Sequence, residues 1–309
     1  MNRFQTVKPA QKYTVKQFQL EFPDEDSCLE YVKEQRWPDG RALCEKCGVE
    51  RKHYRVTGRT AYACHACGTH IFPLSGTIFH KSTTSLLTWF YVIRLMSSTR
   101  VGVSAKHIQR ETGVTYKTAW RMMKQIRLLM AEKIQLSGAV EIDEANFGGS
   151  DENKSKHLRG SRKTPVLGMV ERDGRVVAQV VPDVKTATLV PAVRRTIEAG
   201  SFAITDEYAP YGVAAHNHYS HLTVNHSKSY ANGAAHTNTI EGFWSLVKRG
   251  IAGVYYQVGF EYLQSYLNEY AFRYNRRKVM RPMFRLLAER TTIQVCASAR
   301  EQRLLAQSE

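Results

Sequence analysis

Ala139-Val140-Glu141-Ile142-Asp143-Glu144-Ala145-Asn146-Phe147 is the stretch on which the fold turns. Upstream of it the apolar residues recur at helical spacing. From about residue 138 the period becomes that of a strand, and 139–147 reads as one strand carrying three acids. Side chains alternate along a strand, so Glu141 and Asp143 share one face, while Ile142 and Glu144 take the other. Any one of these acids alone is an ordinary solvated carboxylate. Several in an otherwise apolar strand call for a cation, because burying unpaired carboxylates is costly.

Downstream, Val166–Glu171 and Arg175–Pro182 read as two more strands, joined at Arg172-Asp173-Gly174, whose Asp-Gly pair signals a hairpin. Residues 186–199 read as a helix stopped by Gly200. Ser201–Thr205 is a fourth strand and His221–Val224 a fifth. Thr239–Lys248 and Phe260–Arg277 read as helices. The polar, basic stretch from Ser150 to Lys163 is expected to be a loop. Asp206 follows the fourth strand directly, where ligand crevices form in α/β sheets. Glu241 falls in the first turn of its helix, and Lys248, two turns later, lies on the same face. In outline, with not every helix resolved by the pattern, this is a β-β-β-α-β-α-β-α order; with acids on the first strand, after the fourth, and on a later helix, it is the layout of a ribonuclease-H-like fold. Three hard oxygen ligands, Asp143, Asp206 and Glu241, suit Mg²⁺ or Mn²⁺. Two such ions ~4 Å apart can serve both the attacking and the leaving oxygen of a phosphodiester. Glu144 and Glu207, each adjacent to one of the aspartates, compete for the same roles.

Before this region lie two near copies of one motif, Cys44-Glu45-Lys46-Cys47-Gly48 and Cys64-His65-Ala66-Cys67-Gly68, with sixteen residues between the pairs. A gap of about 15–20 residues is that of a four-cysteine zinc site. Cys44, Cys47, Cys64 and Cys67 are therefore expected to hold structural Zn²⁺, which would staple a module too small for a core of its own. His53, His65 and His70 are left out as ligands. Arg51, Lys52, Arg55 and Arg59 form either a solvated basic face or a DNA contact. Residues 14–35 read as a helical segment, with Phe18, Phe22, Cys28, Leu29 and Val32 loosely periodic and Pro23-Asp24-Glu25 resembling a helix start. Residues 85–99 read as a buried helix. A short helix from about Val103, a turn at Gly113 and a longer helix from Thr115 then make a helix-turn-helix pattern. Lys117, Arg121 and Lys124 fall on one side of its second helix and are candidate DNA contacts, while Ala119, Met122 and Met123 could pack.

Composition agrees. Lys and Arg number 44 against 28 acids, a net charge of +16 over 309 residues, which suits a polyanionic partner such as nucleic acid. No apolar run approaches the ~18 residues of a membrane span, and the first ten residues do not read as a signal peptide. The expected setting is the cytoplasm, alongside the bacterial nucleoid, with no membrane partner. Cys28 and Cys296 are isolated, so the cysteines do not form a disulfide framework.

The paired CxxC motifs, Glu141-Ile142-Asp143-Glu144 with Phe147-Gly148-Gly149, Thr205-Asp206 with Tyr211, and Asn238-Thr239-Ile240-Glu241-Gly242-Phe243-Trp244-Ser245-Leu246-Val247-Lys248-Arg249 together resemble the DDE-type insertion-sequence transposases. These join an N-terminal zinc ribbon to a ribonuclease-H-like catalytic domain. The resemblance implies a catalytic triad at Asp143, Asp206 and Glu241, with Lys248 on phosphate and Arg249 beside it on DNA. It implies metal-dependent hydrolysis at the ends of a DNA element, followed by attack of the freed 3′-OH on target DNA. Asn238 would assist and His236 is a candidate contact to the scissile phosphate. The partners would be double-stranded DNA, both element ends and target, and at least a second copy of the chain.

On this reading the chain is an α/β protein with a mixed sheet flanked by helices, divided into a ribbon with its N-terminal helix (14–75), a helical DNA-binding segment (76–135), a catalytic domain (136–285) and a tail (286–309). Two other functions compete: a zinc-ribbon/helix-turn-helix regulator with an inert C-terminal domain, and a ribonuclease-H-like nuclease that cuts without joining. Tyr262, Tyr266, Tyr270 and Tyr274 form a helical stripe expected to pack rather than to stack on bases. The basic run from Arg273 to Arg285 is a candidate phosphate-contacting surface.

Overall fold

A computed structural model describes residues 12–148, 163–205, 219–223 and 237–292. Asp206, Glu207, Tyr211, His236, Gly149 and Cys296 lie outside the described residues. So do the basic stretch 150–162 and the tail after 292. The chain divides into two compact units, one drawn from Met1–Thr99, Ala105–Leu129 and Val279–Glu309, the other from Arg100–Ser104 and Met130–Lys278.

In the first unit, the segment expected as one helical stretch is two helices, α1 (Val15–Glu21) and α2 (Glu25–Arg36). Pro23 bars the preceding residue from helical geometry, and Phe22 sits at φ −124°, ψ 71°. Asp24 then starts α2 by accepting the Ser27 amide at 2.8 Å in a capping box. The inward residues are as the pattern requires: Phe18, Phe22, Cys28, Leu29 and Val32 are all buried. Four short antiparallel strands follow in spatial order β1-β2-β3-β4 (Arg41–Cys44, Val49–Arg55, Tyr62–Cys64, His70–Ile71). Helix α3 (Leu86–Ser98), capped by Ser85, buries Leu86, Trp89, Phe90, Val92, Ile93 and Met96. Helices α4 (Ala105–Thr112) and α5 (Tyr116–Leu128) are joined through Gly113, whose φ of +73° a side chain would strain. Thr115 caps α5 by accepting the Thr118 amide.

The second unit is built on a five-stranded mixed sheet in the order β7-β6-β5-β8-β9. Its strands are β5 (Ala139–Phe147), β6 (Thr164–Glu171), β7 (Val176–Val180), β8 (Phe202–Thr205) and β9 (Ser220–Thr223). The first three form an antiparallel meander, with the expected tight turn after Glu171 where Asp173 takes φ +58°. Strand β8 runs parallel to β5, and β9 parallel to β8. Helix α6 (Thr186–Thr196) lies between β7 and β8 in sequence. It packs with Leu189 and Val193 on the face formed by Val140, Ile142, Leu167 and Met169. Two later helices, α7 (Asn238–Gly250) and α8 (Phe260–Asn275), cover the opposite face. There Ile240, Phe243, Trp244, Val247, Leu263, Leu267 and Tyr270 meet Ala145, Phe147, Val166 and Val170. Each strand of the meander thus supplies alternate residues to two cores. A π-type turn, Ile251–Tyr255, connects α7 towards α8.

The tyrosine stripe packs, as expected. Tyr266 and Tyr270 are buried, Tyr274 lies edge-on to Phe243, and the Tyr270 hydroxyl donates to the Val101 carbonyl at 3.0 Å. A short helix α9 (Met283–Glu289) belongs to the first unit, where Phe284 meets Phe18 and Phe22. Among the described residues no helix is long and apolar enough to cross a membrane.

Candidate functional site

The four cysteines of the paired motifs converge. Cys44 ends β1 and Cys64 ends β3, and each opens an identical knuckle: the amide of Gly48 donates to Cys44 O at 2.8 Å and that of Gly68 to Cys64 O at 2.9 Å. Both glycines have φ near +70°. The four Sγ atoms lie within 4.8 Å of one another, with Cys44–Cys67 at 3.4 Å and Cys47–Cys64 at 4.0 Å. Tetrahedral zinc with Zn–S bonds of about 2.3 Å needs edges of ~3.8 Å, so the donor set fits that ion. Hydrogen bonding from Thr69 favours the thiolate of Cys67 and pulls it down to about 6, towards the metal-binding form. Hydrogen bonding with the neighbouring cysteines, Cys67 first and then Cys44, pushes Cys47 up to about 12. His53 and His65 set ring nitrogens against the backbone carbonyls of Arg51 and Lys52, and neither joins the cluster. On the same module Arg51, Lys52 and Arg59 are exposed. Arg55 is not part of that face: its guanidinium pairs with Asp26 at 2.6 Å and hydrogen-bonds the Val56 carbonyl.

On α5, Lys117 and Arg121 are exposed, and Lys124 lies over the Trp120 ring at 5.6 Å. The opposite side buries Ala119, Met122, Met123 and Ile126.

The second constellation is built where β5 meets α7. Glu141 and Asp143 do share a face, but their environments differ sharply. Asp143 is part-exposed, whereas Glu141 is 0% exposed. Asp143 accepts the indole N–H of Trp244 at Oδ2, 3.0 Å. Glu141 accepts the amides of Thr239 (2.9 Å) and Ile240 (3.1 Å) at Oε2. Its Oε1 accepts the Thr239 hydroxyl (2.9 Å) and Arg172 Nε (3.1 Å). Glu241 is exposed in the first turn of α7, where the Thr237 hydroxyl donates to its Oε1 at 3.1 Å. Asn238, Lys248 and Arg249 are exposed on the same helix, and Arg249 Nε donates to the Ser245 carbonyl. Strand β8 ends at Thr205, whose hydroxyl lies 2.8 Å from His221 Nε2. Asp206, the next residue, and His236 lie outside the described residues. Among the described residues the cysteines are the one compact group of metal-ligand side chains. Asp143 and Glu241 are hard oxygen donors of the kind a divalent cation such as Mg²⁺ takes, and both reach solvent.

Three participants were missed from sequence. Glu141 reads only as an acid that shares a strand face with Asp143. Trp244 reads only as a member of the motif 238–249. Gly168 stands opposite Asp143 in the β5–β6 register, and a Cβ there would come within 2.2 Å of Trp244 Cζ2. The isolated glycine inside an apolar strand was the available signal, since it marks a close approach.

Comparison with known proteins adds the following. Residues 135–275 match the ISXO2-like transposase domain and residues 23–70 the transposase zinc-ribbon domain. An uncharacterized transposase-like protein of Haemophilus influenzae is 31% identical over 105 residues, 34% of this chain and 85% of that protein. An uncharacterized protein in the transposable element ISH50 of Halobacterium salinarum is 28% identical over 257 residues, 75% of this chain and 84% of its own.

Proposed function

This chain belongs to the ISXO2-like transposases of insertion sequences, and we propose that it binds the ends of its own element, cuts a DNA strand there and joins the freed 3′-OH to target DNA. The observation that carries the reading is the pinning of α7, which bears Glu241 and Lys248, onto the strand that bears Asp143, through Trp244 and Glu141. The strand order β7-β6-β5-β8-β9, three antiparallel strands and then two parallel, with helices on both faces, supports the ribonuclease-H-like assignment. The pair α4–α5, with its capped second helix, supports a helix-turn-helix.

In this reading Asp143, Asp206 and Glu241 would hold Mg²⁺ or Mn²⁺. Such ions, when bound in pairs, stabilise charge on the attacking and leaving oxygens of a phosphodiester. The chain's own residues do the rest. Trp244 fixes the rotamer of Asp143. Lys248, exposed two turns beyond Glu241, meets a phosphate of the bound strand, with Arg249 beside it. Lys117, Arg121 and Lys124 contact DNA from α5, and the ribbon, held by Zn²⁺ on Cys44, Cys47, Cys64 and Cys67, offers Arg51, Lys52 and Arg59 to the same polyanion. Residues 14–75, 76–135 and 136–285 are the corresponding functional segments, and 286–309 follow as the tail. The protein works on DNA in the cytoplasm. Holding two ends together requires at least a dimer.

The test is a strand-transfer assay on linear DNA bearing the sequences that flank the gene, with Mg²⁺ or Mn²⁺, using the wild type, Asp143→Asn and Asp206→Asn. Joined product from the wild type and none from either variant is expected. Equal activity in all three would remove the triad. Cleavage without joining would leave a nuclease, and binding without cleavage a regulator.

A further inference from the structure

We propose that Glu141 is a positioning residue of this site: it sets the first turn of α7, and with it the carboxylate of Glu241, against the strand that carries Asp143. The proposal rests on the reading above, that Asp143 and Glu241 serve a divalent cation.

A carboxylate withdrawn from water is costly unless fully partnered, and Glu141 is withdrawn completely. Its partners explain why the position keeps a charge. The first amides of a helix have no intrahelical acceptor. In α7 the preceding residue, Thr237, makes no side-chain cap, because its hydroxyl is turned to Glu241 instead. The amides of Thr239 and Ile240 go to Glu141, from a strand 98 and 99 residues earlier in the chain. A full negative charge there also meets the positive end of the helix dipole. Arg172, at the end of β6, balances that charge from the other side.

The geometry makes this more than a cap. Glu141 and Asp143 are alternate residues of one strand and point to the same side. Both bind α7, Glu141 at Thr239 and Ile240, Asp143 at Trp244. Glu241 lies between those two attachments. Two anchor points separated along the axis fix both the height and the rotation of a helix on a sheet. One alone would leave α7 able to swing about it. Replacing Glu141 by Gln retains the shape but sets an amide where two backbone N–H groups and a hydroxyl now donate, and it removes the carboxylate charge that Arg172 Nε meets at 3.1 Å.

The experiment uses the full-length, zinc-loaded protein and Mn²⁺ as the probe. Mn²⁺ binding is read by electron paramagnetic resonance, and the Mn²⁺ midpoint of DNA cleavage is read in parallel. Glu141→Gln is expected to raise both midpoints about tenfold or more, the size seen when residues that orient metal ligands are altered. Thr239→Val, which deletes the hydroxyl bond to Glu141 Oε1, should shift them in the same direction and serves if Glu141→Gln fails to fold. Val193→Ala, which loosens the core on the other face of the sheet, should lower thermal stability and leave both midpoints in place. Glu241→Gln should abolish the cleavage-linked Mn²⁺ binding. If it does, and the Glu141 and Thr239 variants keep wild-type midpoints, the positioning role is overturned while the site reading stands. If Glu241→Gln itself binds Mn²⁺ like the wild type, the site reading falls and this proposal with it.

Discussion

Replacing Gly168 by Ala is a one-methyl probe of the joint between β5 and α7. The new Cβ would lie 2.2 Å from Trp244 Cζ2, 2.8 Å from Cη2 and 2.9 Å from Ile240 Cδ1. Carbon atoms rest at about 3.5–4.0 Å, so the first overlap exceeds about 1 Å. The ring cannot yield by rotating, because its N–H is tied to Asp143 and Phe147 and Phe243 pack against it with ring centroids at 5.9 and 5.3 Å. It must slide outward and break the bond to Asp143. Overpacking of this kind costs about 1–3 kcal/mol. Ala is otherwise better than Gly inside a strand by about 0.5–1 kcal/mol, so the net loss should be on the order of 1–2 kcal/mol. The decisive comparison is a double-mutant cycle with Trp244→Ala. Once the indole is gone the extra methyl is harmless, and Gly168→Ala should become neutral or slightly stabilising, giving a coupling of about 1–3 kcal/mol. Urea unfolding, with hydrogen exchange of the β5 and β6 amides to confine the reading to this unit, measures it. Additivity within about 0.5 kcal/mol would refute the argument that the glycine exists to admit the tryptophan.

Three further expectations follow from the same geometry. Purified protein should carry one zinc per chain by elemental analysis, and a chelator or Cys64→Ser should release it and expose the β1–β4 amides to exchange; full exchange protection in metal-free protein would contradict the stapling role. Lys117→Ala should lower the slope of log affinity for DNA against log salt by about 1, roughly equally for all sequences, if that side chain meets a phosphate, and an unchanged slope would place it off the interface. Burial alone would raise the pKa of Glu171, but the forked bonds from Arg175 and the amides of Arg175 and Ser137 hold it below its ordinary 4.5. Its folded value is thus depressed. Its stabilising contribution is complete above the ordinary value and fades as pH falls through the folded one, so Glu171→Gln should flatten the acid limb of the stability–pH curve of the second unit. An unaltered acid limb would show that the pair contributes nothing measurable.

The sequence made legible whatever is encoded locally. The change of period at residue 138 located β5, the Asp-Gly pair located the hairpin, and the spacing of the cysteines located their cluster, because in each case the signal and its cause lie within a few residues. The break between α1 and α2 was equally local: Pro23-Asp24-Glu25 reads as a helix start inside the 14–35 segment, and α2 begins at Glu25. What could not be read was long-range. Alternation puts Glu141 and Asp143 on one face but cannot say that the first is sealed and the second open, since the sealing residues, Thr239 and Ile240, arrive almost a hundred positions later. Trp244 reads only as part of the motif 238–249, and no spacing reveals the bond from its N–H to Asp143. Arg55 looked like a member of a basic face and is committed to Asp26 instead.

The threading of the chain through its two units bears on how the protein is made. The first unit begins near the N-terminus but takes in Val279–Glu309, with Phe284 set against Phe18 and Phe22. The second starts with a meander of neighbouring strands, which pairs early, yet its face stays bare until α7 and α8 have been synthesised. Vectorial synthesis therefore cannot supply all of the first unit until the second, which ends at Lys278, has been made. A ribosome that stops short of α7 releases the acid-bearing strand with a sealed-type carboxylate still in water and nothing to hold Asp143 in place. The order in which the two sides of this joint are made, β5 first and α7 about a hundred residues later, is written into connectivity rather than into any single residue.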